Sequence, residues 1–250
     1  AMFLNRPIDI HHDDIPHLRF MTSSSAPLMT ETWKQFEEKY GVPIAQGYGC
    51  SEIGWIAVSN EHTRKFGTVG LPLACHRLTV VDQDGKELPR GETGEVELGG
   101  FETNLYRYID KNGEEQIHAR DRLRTGDLGI MDDEGYIRIT GRAKDLIIRG
   151  GVNISPAEVD NILLQMPTLA EAATIGVPDP IWGEEVVCYV AAKEGQSTTA
   201  EAVLEHCSTR LPQFRQPRQI IVRDQLPKTE RGKMNRLQLL DEWKAEFGQA

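Results

Sequence analysis

The sequence predicts three successive regions: an α/β region, an antiparallel barrel-like β region and a small α+β unit. In the first, an apolar run, a helix and a strand follow one another, which is the order typical of α/β folds. In the second, between about residues 67 and 141, β-rich runs alternate with turn sequences. In the third, after Arg142, helix-start sequences alternate with β-rich runs over about a hundred residues, a common domain length.

The helix of the first region is predicted at residues 30–40. Trp33, Phe36 and Tyr40 recur at helical spacing, and Gly41 follows as a natural C-terminal stop. A short strand at residues 42–45 then leads into a glycine-rich segment. The α/β interpretation rests on this order of elements.

The β region is predicted from short runs of β-forming residues and the turns between them. The polar stretch at residues 104–124 is predicted to be a loop with a short hairpin around residues 111–113. Strands are predicted at residues 78–81, 94–98, 128–131 and 136–140, and turns at residues 82–85 and 132–135.

The α+β unit is predicted from two capping-box sequences, one at residues 155–158 and one at residues 198–201. Pro156 occupies the first helical position after Ser155, as is common at helix starts. The β-rich runs lie at residues 172–177, 185–192 and 219–223. The change of pattern at residues 141–145 places the domain boundary there, giving one domain at 1–142 and a second at 143–250.

Composition excludes several classes of protein. The chain has 250 residues, of which 39% are apolar and 26% charged, enough to bury a core. Its net charge of −10 argues against a general nucleic-acid binder, and no run approaches the roughly 20 apolar residues of a membrane span. Asn5 and Arg6 interrupt the apolar start, so no secretory signal is expected. The four widely spaced cysteines indicate free thiols of a reducing cytosol, and the expected location is cytoplasmic.

A local excess of basic residues contrasts with the acidic average. Eight lysines and arginines lie between Arg210 and Arg236, opposed only by Asp224 and Glu230. One interpretation is a solvated basic surface. The other is a lip that attracts a small polyanion such as a nucleotide or coenzyme A.

Two motifs of the first two regions carry groups suited to a flat, phosphorylated ligand. In residues 47–54, two glycines flank Tyr48, and Ser51 and Glu52 add a hydroxyl and a carboxylate that suit a phosphate or a metal ion. Asp127 could accept hydrogen bonds from both hydroxyls of a ribose, and Arg142 could donate to ribose or phosphate. The alternatives are a buried tyrosine with structural glycines and an Asp–Arg ion pair at the domain boundary.

Two further motifs lie in the α+β unit. Gly150 and Gly151 precede a capped helix, and their backbone could enter a tunnel too narrow for side chains; a strand-to-helix turn is the alternative. Residues 227–236 form a polar loop in which Lys233 is a mobile charge suited to developing negative charge, or a solvated surface lysine.

Taken together and in this order, the motifs resemble the adenylate-forming superfamily, which includes acyl- and aryl-CoA synthetases, peptide-synthetase adenylation domains and beetle luciferases. The resemblance runs from about Leu18 to the end of the chain. It is carried by residues 23–28, 47–52, 125–127, 141–156 and 227–236.

The resemblance implies a role for each matching residue. It assigns Ser51 to phosphate contact, Glu52 to Mg²⁺, Asp127 to the ribose hydroxyls and Arg142 to the partner of Asp127. Lys144 lies at the family's interdomain hinge. The adenine-binding wall would comprise Ser24, Ser25, Ala26, Gly47, Tyr48 and Gly49. The loop of Gly150 and Gly151 would meet the pantetheine arm, and Lys233 would act in the first half-reaction.

The resemblance also implies the fold and the reaction. The chain would comprise the end of a large α/β AMP-binding domain with a distorted antiparallel β-barrel, followed by a small mobile α+β C-terminal domain. The family's phosphate-binding loop has no counterpart in residues 1–17, so we expect a C-terminal fragment that lacks the N-terminal half and is itself inactive.

The expected parent is a carboxylate–CoA ligase that forms acyl-AMP and then acyl-CoA, using ATP, Mg²⁺ and coenzyme A. An adenylation domain that loads a carrier protein and a non-catalytic AMP-binding module remain as alternatives. The expected partners are a small carboxylic acid, as in fatty acid metabolism, ATP and coenzyme A, without nucleic acid or a membrane span. An oligomer is possible, and the acid is not specified.

Overall fold

The computed structural model describes residue 4 and residues 8–25, 28–109, 112–230 and 232–248. The chain divides into two compact units, unit 1 at residues 1–140 and unit 2 at residues 141–250.

The first sheet of unit 1 begins with a parallel pair of strands joined through a helix. The first strand lies parallel to the second, and the second, third and fourth strands then pair in antiparallel order. The helix ends as the sequence predicts, because Gly41 adopts a φ of 67° and its N–H bonds to the carbonyl of Glu37. The elements are β1 (Met21–Ser23), α1 (Thr30–Tyr40), β2 (Ile44–Cys50), β3 (Gly54–Val58) and β4 (Leu71–Pro72).

Helix α1 is fastened to this sheet through a half-buried carboxylate. Glu37 accepts hydrogen bonds from the Trp33 indole at 2.6 Å, from the backbone N–H of Ile44 at 2.8 Å and from Arg64. Trp33 is fully buried. Burial tends to raise the pKa of Glu37, but these donors outweigh it and hold that pKa below its ordinary value.

The second sheet of unit 1 is antiparallel, with its strands in chain order. The expected barrel is not found, because the strand order of the described residues is open and the first strand of this sheet pairs only with the second. The loop predicted at residues 104–124 is also wrong, since the second and third strands each contain 17 residues and pair from Thr93↔Ile130 to Ile109↔Glu115. A hairpin is found at the predicted position around residues 111–113, where Ile109 and Glu115 form the last pair, although residues 110 and 111 lie outside the described residues. The strands are β5 (Arg77–Val81), β6 (Thr93–Ile109), β7 (Glu115–Met131) and β8 (Ile137–Arg142).

Unit 2 is built on one mixed sheet with helices on both faces. Alternate residues of its two long strands enter two separate cores, so that Val186 and Cys188 pack with the first two helices, whereas Val187 and Tyr189 pack with the third. The strands are β9 (Ile147–Arg149), β10 (Val152–Ile154), β11 (Leu169–Asp179), β12 (Gly183–Ala192) and β13 (Gln219–Arg223). The helices are α2 (Pro156–Leu163), α3 (Ala200–Ser208) and α4 (Arg236–Phe247).

Both predicted helix starts of unit 2 are found, but neither forms the predicted capping box. Ser155 is the N-cap of α2, and its side chain makes no capping hydrogen bond. At α3 the N-cap is Thr199, whose hydroxyl accepts from the N–H of Ala202 at 3.3 Å, one residue later than the pattern predicts. Within the described part of the chain, no helix is long and apolar enough to cross a membrane.

Candidate functional site

The parallel pair in unit 1 sets the position of Ser24. Ser23 of β1 pairs with Gln46 of β2, so Ser24 and Gly47 follow at the same level, at the carboxyl end of β1. Ligands of α/β sheets bind beyond such strand ends. Ser24 is exposed, and Ser25 has a φ of 68° in the left-handed region that residues with side chains rarely adopt. Ala26 lies outside the described residues.

Gly47 and Gly49 have a local packing reason to be glycine. A Cβ at Gly47 would lie 2.6 Å from the ring of Trp55, and one at Gly49 would lie 2.2 Å from the carbonyl oxygen of Gly54. Both clashes come from β3, the antiparallel neighbour of β2. The interpretation as structural glycines therefore accounts for both positions, and Trp55 packs over Gly47 while half of its surface stays exposed.

Tyr48 and Asp127 bring two of the sequence motifs together. The Tyr48 hydroxyl donates to Asp127 Oδ2 at 2.6 Å, across 79 positions of sequence. Asp127 is buried, at 7% exposure, and its N–H bonds to the Thr125 hydroxyl at 3.1 Å. Burial and the bond to Asp127 raise the pKa of Tyr48 well above its ordinary value, so the phenol remains a hydrogen-bond donor at neutral pH. The contact orients a buried carboxylate that suits hydroxyl donors such as those of ribose.

Ser51 and Glu52 lie in the turn that joins β2 to β3. The Glu52 carboxylate accepts from the thiol of Cys50, and burial together with this bond raises the pKa of Cys50. The described residues contain no cluster of three or more acidic, histidine or cysteine side chains that could hold a metal ion. A single carboxylate suits Mg²⁺ in the manner of nucleotide-dependent enzymes, where substrate phosphates and water complete the coordination.

Arg142 and Lys144 lie at the start of unit 2, and both side chains are exposed. Arg142 ends β8, and Lys144 lies in a 3₁₀ turn at residues 143–145. Asp127, the expected partner of Arg142, belongs to unit 1.

Gly150 and Gly151 form the two-residue turn of the β9–β10 hairpin. Their φ angles are 57° and 82°, and turns of this length favour such positive values at both positions. A Cβ at Gly150 would lie 2.8 Å from the ring of Trp182, whereas the position at Gly151 has no atom of the described structure within 4 Å. The turn is therefore closed on one side and open at Gly151, which differs from a simple strand-to-helix turn.

The basic segment between residues 210 and 236 is largely neutralised by ion pairs. Among its described members, Lys233 is the one whose side chain makes no hydrogen bond or ion pair. Arg210 bonds instead to the carbonyl of His206 and the hydroxyl of Thr209. The remaining pairs are Arg215–Glu158, Arg218–Asp179, Arg223–Glu246, Lys228–Glu171 and Arg236–Asp160. Arg231 lies outside the described residues.

Sequence reasoning gave Trp182 no role, although its ring packs on Gly150. Trp182 is half exposed, and its backbone carbonyl accepts from the N–H of Gly150 at 2.8 Å. Asp179 fixes the backbone that leads to Trp182, because Asp179 Oδ1 accepts from the N–H groups of Ile181 and Trp182, both at 2.9 Å. The sequence signal was Asp179 followed by Pro180, a turn-forming pair.

Two family models match the chain. The model described as AMP-binding enzyme matches residues 1–104, and the model described as AMP-binding enzyme C-terminal domain matches residues 158–233.

Among curated relatives, the sulfoacetate–CoA ligase of Cupriavidus necator is 38% identical over 96% of this chain and 47% of its own length. The oxalate–CoA ligase of Saccharomyces cerevisiae is 36% identical over 88% of this chain and 41% of its own length. The crystal structure of ATP-bound MatB from Rhodopseudomonas palustris superposes with a TM-score of 0.85, at 30% identity, over 98% of this chain and 49% of that one. The chain spans about half the length of these relatives.

Proposed function

Because the chain belongs to the AMP-binding enzyme family, we propose that it is the C-terminal portion of an ATP-dependent carboxylate–CoA ligase. Unit 1 is assigned to the end of the large AMP-binding domain, and unit 2 to the C-terminal domain. The relatives named as CoA ligases support this assignment, since their similarity extends over nearly all of the chain. The reaction proposed for the whole enzyme is formation of acyl-AMP and pyrophosphate, followed by transfer of the acyl group to the thiol of coenzyme A.

The observation that carries nucleotide binding is the 2.6 Å contact of Tyr48 with Asp127. It joins the glycine-rich segment of β2 to the Asp127 motif of β7 within one compact unit. In the proposed complex Asp127 accepts from the ribose hydroxyls, and Tyr48 orients the carboxylate while its ring borders the base. Ser24, Ser25, Ala26, Gly47 and Gly49 are proposed to complete the adenine wall.

The anionic groups of the nucleotide are assigned to the turn between β2 and β3. Ser51 is proposed to donate to a phosphate oxygen. Glu52 would hold Mg²⁺, which when bound neutralises charge on the phosphates. The thiol of Cys50 donates a hydrogen bond to the same carboxylate. Arg142 is proposed to donate to the nucleotide as the partner of Asp127.

Lys233 is assigned to the first half-reaction. Attack of a carboxylate oxygen on the α-phosphorus brings two anionic groups together, and a fixed positive charge stabilises that transition state. The structure supports this choice because Lys233 is the described cation of its segment whose side chain has neither a hydrogen bond nor an ion pair.

The second half-reaction is assigned to the open turn at Gly151, with Lys144 as the hinge residue between the domains. The CoA thiol would attack the acyl carbonyl carbon and displace AMP. No atom of the described residues lies within 4 Å of a Cβ built at Gly151, which supports a role next to the extended arm of a ligand. The four cysteines are free thiols, on which basis we propose a cytoplasmic location.

The test measures both half-reactions in the full-length ligase. Wild type should release pyrophosphate when ATP, Mg²⁺ and a carboxylic acid are supplied, and should form thioester from supplied acyl-AMP and CoA. Lys233→Ala should lower pyrophosphate release about 10²–10³-fold and spare the thioester step. Binding of AMP without carboxylate-dependent pyrophosphate release, or transfer only to a carrier protein, would contradict the proposed function.

A further inference from the structure

We propose that Asp160, Glu171 and Arg236 are positioning residues that hold the loop at residues 226–235, here called the Lys233 loop, in the form that presents Lys233. The inference rests on the proposed role of Lys233 in acyl-AMP formation. It assigns a function to two ion pairs of unit 2, Lys228–Glu171 and Arg236–Asp160.

The Lys233 loop is itself a closed hairpin. The N–H of Thr229 donates to the carbonyl of Lys233 at 2.7 Å, and the N–H of Gly232 donates to the carbonyl of Thr229 at 2.8 Å. The N–H of Asn235 donates to the carbonyl of Pro227 at 2.9 Å, which closes the base. These bonds fix the backbone of Lys233 and leave freedom mainly to its side chain.

Glu171 of β11 holds the first arm of the loop. Its Oε2 accepts from the N–H of Leu226 at 2.9 Å, and its Oε1 pairs with Lys228 Nζ. Leu226 is buried beside Leu239 of α4 in the core of this face. One carboxylate therefore fixes the arm and neutralises Lys228, so that among the described cations of the loop Lys233 is the one without an ion pair.

Arg236 holds the second arm, at the first residue of α4. Its Nε donates to the carbonyl of Thr174 at 3.1 Å, and its Nη2 pairs with Asp160 Oδ2. Asp160 Oδ1 in turn accepts from the N–H of Thr174 at 2.7 Å. The side chain of Asp160 is 8% exposed, and each of its oxygens has a donor.

The geometry of β11 explains why these groups meet there. In the described pairings β11 bonds only to β12, so its other edge carries unpaired backbone groups. At Thr174 both of these groups are taken by the Asp160–Arg236 pair. Glu171 lies three positions earlier on the same strand. Both arms of the Lys233 loop are thus fastened to one rigid edge, which lowers the entropy lost when Lys233 engages its target.

The experiment compares the two anchors with an ion pair that joins β13 to the other end of α4. In the full-length ligase, Glu171→Gln and Arg236→Ala each remove one charged contact. Arg223→Gln is the matched control, since Arg223 pairs with Glu246 at 2.8 Å near the other end of α4. Pyrophosphate release is measured with kcat and KM resolved, and thioester formation is measured separately from supplied acyl-AMP.

Both anchor variants should lower kcat for pyrophosphate release about 10–100-fold, the range expected for misplacement of a reacting group by about 1 Å. Thioester formation from acyl-AMP and the control variant should stay at wild-type levels. Arg236→Lys, which keeps the charge, should recover part of the lost kcat. Equal loss in both half-reactions would show that the anchors only support folding, and would overturn the proposal.

Hydrogen exchange provides an independent readout on the 250-residue chain. Glu171→Gln is the variant used here, because Glu171 lies at the edge of the core and the substitution keeps an acceptor for Leu226. The amides of Thr229 and Gly232 should exchange faster in Glu171→Gln than in wild type or Arg223→Gln. Unchanged protection would overturn the proposal.

The Lys233→Ala variant distinguishes a failure of the proposed role of Lys233 from a failure of the positioning role of its anchors. If it retains wild-type pyrophosphate release, the proposed role of Lys233 is wrong. If it loses that activity while Glu171→Gln and Arg236→Ala keep theirs, the role of Lys233 stands and the positioning role alone is wrong.

Discussion

Replacing Tyr48 with phenylalanine tests the contact on which nucleotide binding was proposed. The substitution keeps the ring and removes the hydroxyl that donates to Asp127 at 2.6 Å. Asp127 is 7% exposed, so water cannot readily replace the lost donor. We therefore expect a loss of stability and a loss of AMP affinity from one change.

The magnitude follows from the nature of the bond. A hydrogen bond to a charged group contributes about 1.5–3 kcal/mol, and removing one partner from a buried carboxylate falls in the same range. For a chain of this size, that corresponds to a decrease in Tm of about 3–12 °C. Orientation of the carboxylate is lost as well, and AMP affinity should fall about tenfold or more, since about 1.4 kcal/mol is a factor of ten.

The effect should be constant over the neutral range. Burial and the bond to Asp127 raise the pKa of Tyr48, so its contribution to stability is fully present below pH 10, the ordinary pKa, and is lost only as pH rises through the raised one. Melting by circular dichroism and AMP titration by calorimetry are the assays. Tyr136→Phe is the control, because the ring of Tyr136 lies beside Lys65 instead. If Tyr48→Phe melts and binds AMP as wild type does, the reasoning is refuted.

Three further predictions concern unit 1 and the hairpin turn of unit 2. The lowered pKa of Glu37 gives stability that is present above pH 4.5 and is lost as pH falls through the lowered value, so Glu37→Gln should flatten the acid limb of a Tm–pH profile. Gly150→Ala should destabilise unit 2 by about 1–3 kcal/mol in chemical denaturation, because its φ is 57° and its Cβ would lie 2.8 Å from Trp182. Gly151→Leu should be more stable than Gly150→Leu, since no atom of the described residues lies within 4 Å of a Cβ at Gly151. The same Gly151→Leu variant should nevertheless slow thioester formation from supplied acyl-AMP.

Local sequence signals were sufficient where one residue decides the geometry. Helix α1 ends at Tyr40 because Gly41 alone can adopt the left-handed φ without a Cβ penalty. The hairpin between β7 and β8 was likewise predictable from the turn at residues 132–135, where the N–H of Gly135 bonds to the carbonyl of Asp132 at 2.9 Å.

The same signals failed where pairing or packing decides. Residues 104–124 are polar and lack regular alternation, so the pairing of β6 with β7 could not be inferred from either strand alone. Helix α4 was not predicted because its apolar face is weak, with Leu239 buried but Leu237 77% exposed. Its start did carry a signal, since Asn235 accepts from the N–H of Gln238 at 3.2 Å as an N-cap.

In the candidate site, too, the sequence identifies candidate residues, whereas tertiary contacts decide which of them keep an unpaired charge. Residue types and order were enough to place Tyr48, Asp127 and Lys233 among the candidates. The sequence offers eight similar cations between residues 210 and 236, and it contains no information on which of them carboxylates from β11, α2 and α4 will neutralise. That selection depends on tertiary contacts such as those of Glu171 and Asp160, which lie 57 and 76 positions from Lys228 and Arg236 respectively. A basic cluster in a sequence is therefore a set of candidates, and the catalytic one is expected to be the cation that the fold leaves without a partner.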